Sequence, residues 1–129
     1  MKDANELAVE RTDLAYERTA LANDRTLMAW IRTAVSLVSF GFTLYKFLHE
    51  VREAAHLQTS GSVFTPRIVG MVLIGLGFLG VFFAYIQYRM DMKRLENLTK
   101  QLPRSFTPYF AIMILIFSLL LFFAALFRF

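Results

Sequence analysis

Arginine recurs every seven residues, at Arg11, Arg18, Arg25 and Arg32, within the run ERTDLAYERTALANDRTLMAWIRT. A guanidinium is permanently charged and offers its N–H donors in a planar fork, so it suits bidentate binding of phosphate or carboxylate oxygens. On a helix rising about 1.5 Å per residue the rungs stand about 10 Å apart, and the four form a ladder about 30 Å long. That length fits a linear polyanion and exceeds what a single chloride needs.

Aligned in sevens, the segment reads LAVERTD, LAYERTA, LANDRTL and MAWIRTA, and the register ends after Val35. Leu7, Leu14, Leu21 and Met28 share one stripe, Ala8, Ala15, Ala22 and Ala29 the next, and each arginine follows a Leu stripe position by four, on the same side. A strict heptad drifts only about 20° per repeat on a straight helix, so a mild left-handed supercoil keeps such stripes facing a partner helix. Glu10, Glu17 and Asp24 each immediately precede an arginine. Neighbours in sequence point about 100° apart on a helix, and no acid of the repeat has a base three or four positions away, so these charges cannot pair within the helix. Adjacent acidic and basic stripes suit a ring of like-oriented copies, with Glu17 and Asp24 of one copy pairing with arginines of the next. The pattern predicts a cyclic homo-oligomer with its first helices around the axis. The plainer alternative is an amphipathic, solvated helix whose leucines lie on lipid headgroups.

Arg32 sharpens the question. It stands about 7 Å inside an apolar stretch. An arginine at span centre costs roughly 2.5 to 3.5 kcal/mol on insertion scales, and less near the boundary. A ring of guanidiniums about 10 Å apart repels by about 1.7 kcal/mol per adjacent pair at an effective dielectric of about 20, so it requires counter-charge. Lipid phosphate, a neighbour's Asp24 or a translocated anion could supply it.

The elements that must position these residues are membrane helices. Hydrophobic residues make up 57% of the 129-residue chain, too many for an ordinary soluble domain. The chain has no cysteine, which excludes a disulfide framework and a Cys-based metal site. The first 26 residues are rich in charge with no apolar core run, unlike a cleaved signal peptide. The predicted fold is an all-α membrane protein, a single membrane domain over 1–129. An N-terminal cytoplasmic amphipathic helix, residues 1–26, runs continuously into the first of three transmembrane helices, with spans near 27–48, 68–88 and 109–127. Gly, Ser and Pro in QTSGSVFTPR (58–67) and LPRSFTP (102–108) supply the turns.

Nine bases flank the membrane on the side of the N-terminus and the second connection, against three on the other side. The positive-inside rule then places the N-terminus in the cytoplasm and the C-terminus outside. The formal charge of +4 accordingly reads as topology and anionic partners, with no nucleic acid implied.

The stretch LANDRTLMAWIRTAVSL resembles the signature of the YidH-type three-span bacterial inner-membrane family, a domain of unknown function. The same domain is similar to the membrane part of the vacuolar transporter chaperone complex, which makes polyphosphate and moves it across a membrane. The resemblance extends over essentially the whole chain. It implies five copies, a pentamer, whose first spans line a basic channel. By position it implies that Arg18 and Arg25 resemble the basic rungs at the cytosolic mouth and Asp24 the acid that pairs with them. Arg89 and, by a looser match, Arg104 look like additional phosphate-facing bases. Arg32 departs from the eukaryotic pattern, where a neutral polar residue is usual, so an identical selectivity is not implied. The catalytic polymerase and phosphate-sensing domains have no counterpart in this sequence, so polyphosphate synthesis is not implied either.

Gly70, Gly77 and Ala84 recur at seven, with Gly80 four before Ala84, a small-residue face suited to close helix packing on span two. His49, Glu53 and His56 share a helix face but read as a polar, water-facing helix end, so no metal or other cofactor is expected. Trp30 and Tyr45 fit interfacial anchoring, and span three, rich in Phe and Leu with Ser118 its polar group, fits lipid contact. No Ser/His/Asp constellation, glycine-rich phosphate loop or intramembrane carboxylate pair is present, which argues against an enzyme. The leading expectation is a homo-oligomer whose Arg-rich first helices line an axial path or binding site for phosphate-type anions. The second is a non-conducting oligomeric scaffold that binds a partner or anionic lipid through the same face.

Overall fold

The structure is a computed structural model that describes residues 1–55 and 66–127. It consists of three long helices, α1 (Ala4–Ala54), α2 (Pro66–Leu98) and α3 (Thr107–Phe127), each long and apolar enough to cross a membrane. The chain is an all-α, multi-pass membrane protein. Of the expected turn at 58–67, residues 58–65 lie outside the described residues, as does His56, and Pro66 and Arg67 belong to α2 instead.

α1 is 51 residues without interruption, about 77 Å of helix, more than twice the roughly 30 Å of a hydrocarbon core. No Pro or Gly interrupts residues 4–40, and Ala, Leu, Glu and Arg dominate the repeat, all strong helix formers. At its start the Glu6 carboxylate accepts from the Asp3 backbone N–H at 3.2 Å. The threonines of the repeat are weaker helix formers, and each is accommodated in the same way. Thr12, Thr19, Thr26 and Thr33 donate their hydroxyls back to the carbonyls of Ala8, Ala15, Ala22 and Ala29 at 2.9 to 3.1 Å.

α2 begins at Pro66, whose missing N–H costs nothing in a first turn. It continues ten residues beyond the expected end of the span at Tyr88, to Leu98. α3 starts where Ser105 accepts the Thr107 N–H at 3.2 Å, two residues ahead of the expected span. At the opposite end of the bundle the Arg67 guanidinium donates to the Leu126 carbonyl near the end of α3.

The buried positions fall at spacings of three, four and seven. On α1 they are Ala20, Leu27, Ile31, Ala34, Val38 and Gly41, and on α2 they include Ile74, Val81, Ala84, Tyr88 and Leu95. Such spacing is the seam of left-handed helix packing. α3 turns Ala111, Ser118 and Ala125, each seven apart, into the bundle and leaves most of its Phe and Leu outward. Ser118, buried, satisfies its hydroxyl on the Leu115 carbonyl at 3.1 Å.

Candidate anion-binding face

The α1–α2 seam determines where the repeat's charges point. Ala20, Leu27, Ala34 and Gly41 form one buried heptad row, and Ile31 and Val38 extend the row of Glu10, Glu17 and Asp24. The acidic stripe therefore leads onto the packed side of α1. Ile31 stands where an acid would be next because that position is 8% exposed and faces the core. The arginine stripe lies about 100° round the helix from the acidic one, with the Ala and Thr rows beyond it. Arg11, Arg18, Arg25 and Arg32 are all exposed. Among the described residues none of them reaches a carboxylate, and Lys2–Glu10, at 2.8 Å, is the one Lys or Arg ion pair.

The leucine stripe is left equally unpartnered. Leu7, Leu14, Leu21 and Met28 are 41 to 49% exposed, and the same row continues outward through Val35 and Phe42. The partner helix that this stripe predicts is not α2 or α3 of the same chain. Glu17 is exposed and lines an open groove of about 780 Å³ with Asp3, Glu6, Glu10 and Asp13, closed on one side by Gln101.

Asp24 has an intrachain partner. The Tyr88 hydroxyl donates to its Oδ1 at 2.7 Å, joining α1 to α2 within the buried seam, between Leu27 and Ala20. Tyr88 is 6% exposed, so its hydroxyl needs a buried acceptor and Asp24 supplies a charged one. Nothing in the heptad signals this contact, since it joins residues 64 positions apart.

Arg89 and Arg104 come together at the same end of the bundle. With Lys93 they line a cleft of about 340 Å³ between α2 and the connection to α3, where Glu96 is the acid, and no α1 residue takes part. The Arg89 guanidinium lies 5.9 Å from the Tyr85 ring centre and donates to its hydroxyl at 3.4 Å. Lys93 joins these two bases only because α2 continues past the span and the chain folds back through Leu102 and Pro103.

The small residues of α2 differ in use. A Cβ on Gly70 would stand 2.8 Å from the Tyr45 Cβ and 2.9 Å from the Gly41 carbonyl oxygen, and one on Gly77 2.8 Å from Val38 Cγ2. Ala84 is buried on the same row. Gly80 stands apart: a Cβ there would meet the Trp30 ring at an ordinary 3.6 Å. Gly41 of α1, with no periodic companion in sequence, is the other half of the closest approach. His49 Nδ1 lies 3.8 Å from Glu53 Oε1, and among the described residues no cluster of three or more His, Asp or Glu is arranged to hold a metal ion.

A family model described as Domain of unknown function (DUF202) matches residues 18–94, well over half of the chain. The chain belongs to the DUF202 family. The DUF202 match covers Arg18, Arg25, Arg32, Asp24, Tyr88 and Arg89 and the α1–α2 seam as far as Tyr88, and ends before Leu95 and Arg104. No curated protein and no solved structure matches this DUF202 chain significantly.

Proposed function

We propose that this DUF202 protein is a homo-oligomer of the bacterial plasma membrane, N-terminus cytoplasmic and C-terminus outside, whose α1 helices surround an arginine-lined path or binding site for phosphate-type anions. The observation that carries this reading is the free face of α1. Arg18, Arg25 and Arg32 are exposed on the side turned away from the seam and have no carboxylate partner among the described residues, and an exposed apolar row runs beside them. Arg32 lies inside the apolar run, where its charge calls for a counter-anion, and the exposed apolar row beside it calls for a neighbouring helix. Like-oriented copies would bury the Leu row and leave the arginines round a common axis. Arg89, Lys93 and Arg104, at the end of the bundle where α1 leaves the membrane, would raise the local concentration of anions there. The likeness to the membrane domain of the vacuolar transporter chaperone complex points the same way.

Reconstituted into liposomes, the protein should pass phosphate or short polyphosphate. Arg25→Ala and Arg32→Ala should each abolish most of that flux while leaving the helices folded. Flux no greater than that of empty liposomes would favour an accessory scaffold that uses the same face for anionic lipid or a partner protein.

A further inference from the structure

Trp30, the only tryptophan of the chain, stands between two clefts at the level where the apolar run of α1 begins and that of α2 ends. On its α2 side a cleft of about 170 Å³ is walled by the Trp30 and Tyr88 rings, with Asn23, Gln87 and the Asp91 carboxylate around it and no base. Asp91 is half-buried and has neither an ion pair nor a side-chain hydrogen bond among the described residues. Two aromatic rings, a carboxylate and two amide oxygens are the groups that recognise an ammonium, by cation–π attraction, Coulomb attraction and accepted hydrogen bonds. The Tyr88 hydroxyl is already donated to Asp24, which fixes that ring in place as a wall.

On the other side of Trp30 an open cleft of about 470 Å³ is lined by Arg25, Thr26, Ala29 and Thr33. Trp30 and Thr26 line both clefts, so an ammonium in the first and a phosphodiester in the second would be neighbours on one molecule. The same faces continue into the apolar run as Leu37 and Leu44 on α1 and Gly80 and Leu76 on α2, a surface for acyl chains. We propose that the paired clefts bind the headgroup of a zwitterionic phospholipid, its ammonium against Asp91, Trp30 and Tyr88 and its phosphate beside Arg25. This site shares Arg25 with the proposed axial path, whereas its ammonium half, Asp91, Trp30 and Tyr88, lies on the α2 side of Trp30 and can be tested apart from it.

The single tryptophan makes the test direct. The full chain, delipidated in a maltoside detergent, is titrated with micellar dioleoyl phosphatidylethanolamine, with dioleoyl phosphatidylglycerol, or with soluble phosphoethanolamine, while Trp30 emission is followed. Phosphatidylethanolamine should give a saturable change, and the other two should give none in the same range. Asp91→Asn, nearly the same shape without the charge, should weaken the response roughly tenfold. Gln87→Leu, on the exposed side of the cleft, should weaken it as well and serves as a second variant should Asp91→Asn unfold. An equal response to phosphatidylglycerol, or unchanged affinity in both variants, would overturn the ammonium assignment. An equal response to soluble phosphoethanolamine would overturn the lipid assignment.

Discussion

The Tyr88 hydroxyl and the Asp24 carboxylate, 2.7 Å apart, tie the two longest helices together within the buried seam. Asp24 is immediately followed by Arg25, yet the two point to different sides: the acid into the seam, the base to the free face of α1. A hydrogen bond to a charged acceptor contributes about 1.5 to 3 kcal/mol. Tyr88→Phe should therefore lower the stability of the purified protein by about that much, read as a fall in its unfolding temperature in detergent. Asp24→Ala should cost a similar amount, and the double variant little more than either. Fully additive losses would mean that the bond carries no energy.

Close packing makes a contrasting set of glycine substitutions informative. Gly77→Ala and Gly70→Ala place a methyl within 3 Å of α1 atoms. Forcing the helices apart should cost about 1 to 3 kcal/mol. Gly75 has nothing within 4 Å of an added Cβ. Gly75→Ala should be neutral or stabilising by up to about 1 kcal/mol, from helix propensity alone. Unfolding curves of the three variants in one detergent decide it, and equal losses at all three would contradict this packing.

Two leucines six residues apart on α1 should fail in different ways. Leu27 is 1% exposed and Leu21 is 41% exposed. Leu27→Ala should destabilise the subunit by about 2 to 5 kcal/mol. Leu21→Ala, alone or with Leu14→Ala, should leave subunit melting nearly unchanged and shift the particle mass in mild detergent towards smaller species. Light scattering coupled to chromatography separates these outcomes.

The charge asymmetry gives a topology that a reporter can read. Alkaline phosphatase fused after Phe127 should be active, and fused after residue 100 inactive, as expected for an outside C-terminus and a cytoplasmic second connection. The reverse pattern would invert the bundle.

The second and third spans were legible because runs of some twenty uncharged residues have few other uses, and the first, with Arg32 and Lys46 inside it, through the continuity of α1, whose heptad crosses the membrane boundary without a breaking residue. The free arginine face was legible too, since Glu10, Glu17 and Asp24 precede their arginines by one position and cannot pair with them. The rest needed three dimensions. Gly41 is a lone glycine until Gly70 is placed against it, and Tyr88 looks like one more interfacial aromatic until Asp24 is seen beneath its hydroxyl. Ala111, Ser118 and Ala125 are masked in sequence by the surrounding Phe and Leu, although a heptad of small residues was the available signal. Lys93 joins Arg89 and Arg104 only through the ten-residue extension of α2, which carries charge and so ended the apolar run before it ended the helix.

The central claim is that the arginine-bearing face of α1 meets other copies of itself, and a chain without cysteine allows this to be tested position by position. Ala22→Cys and Ala29→Cys lie on the free face of α1, and Ile116→Cys on the outward face of α3. A short bis-maleimide applied to each variant in native membranes should give covalent dimers from both α1 positions and none from position 116. Dimers at position 116 with none on α1 would contradict the account.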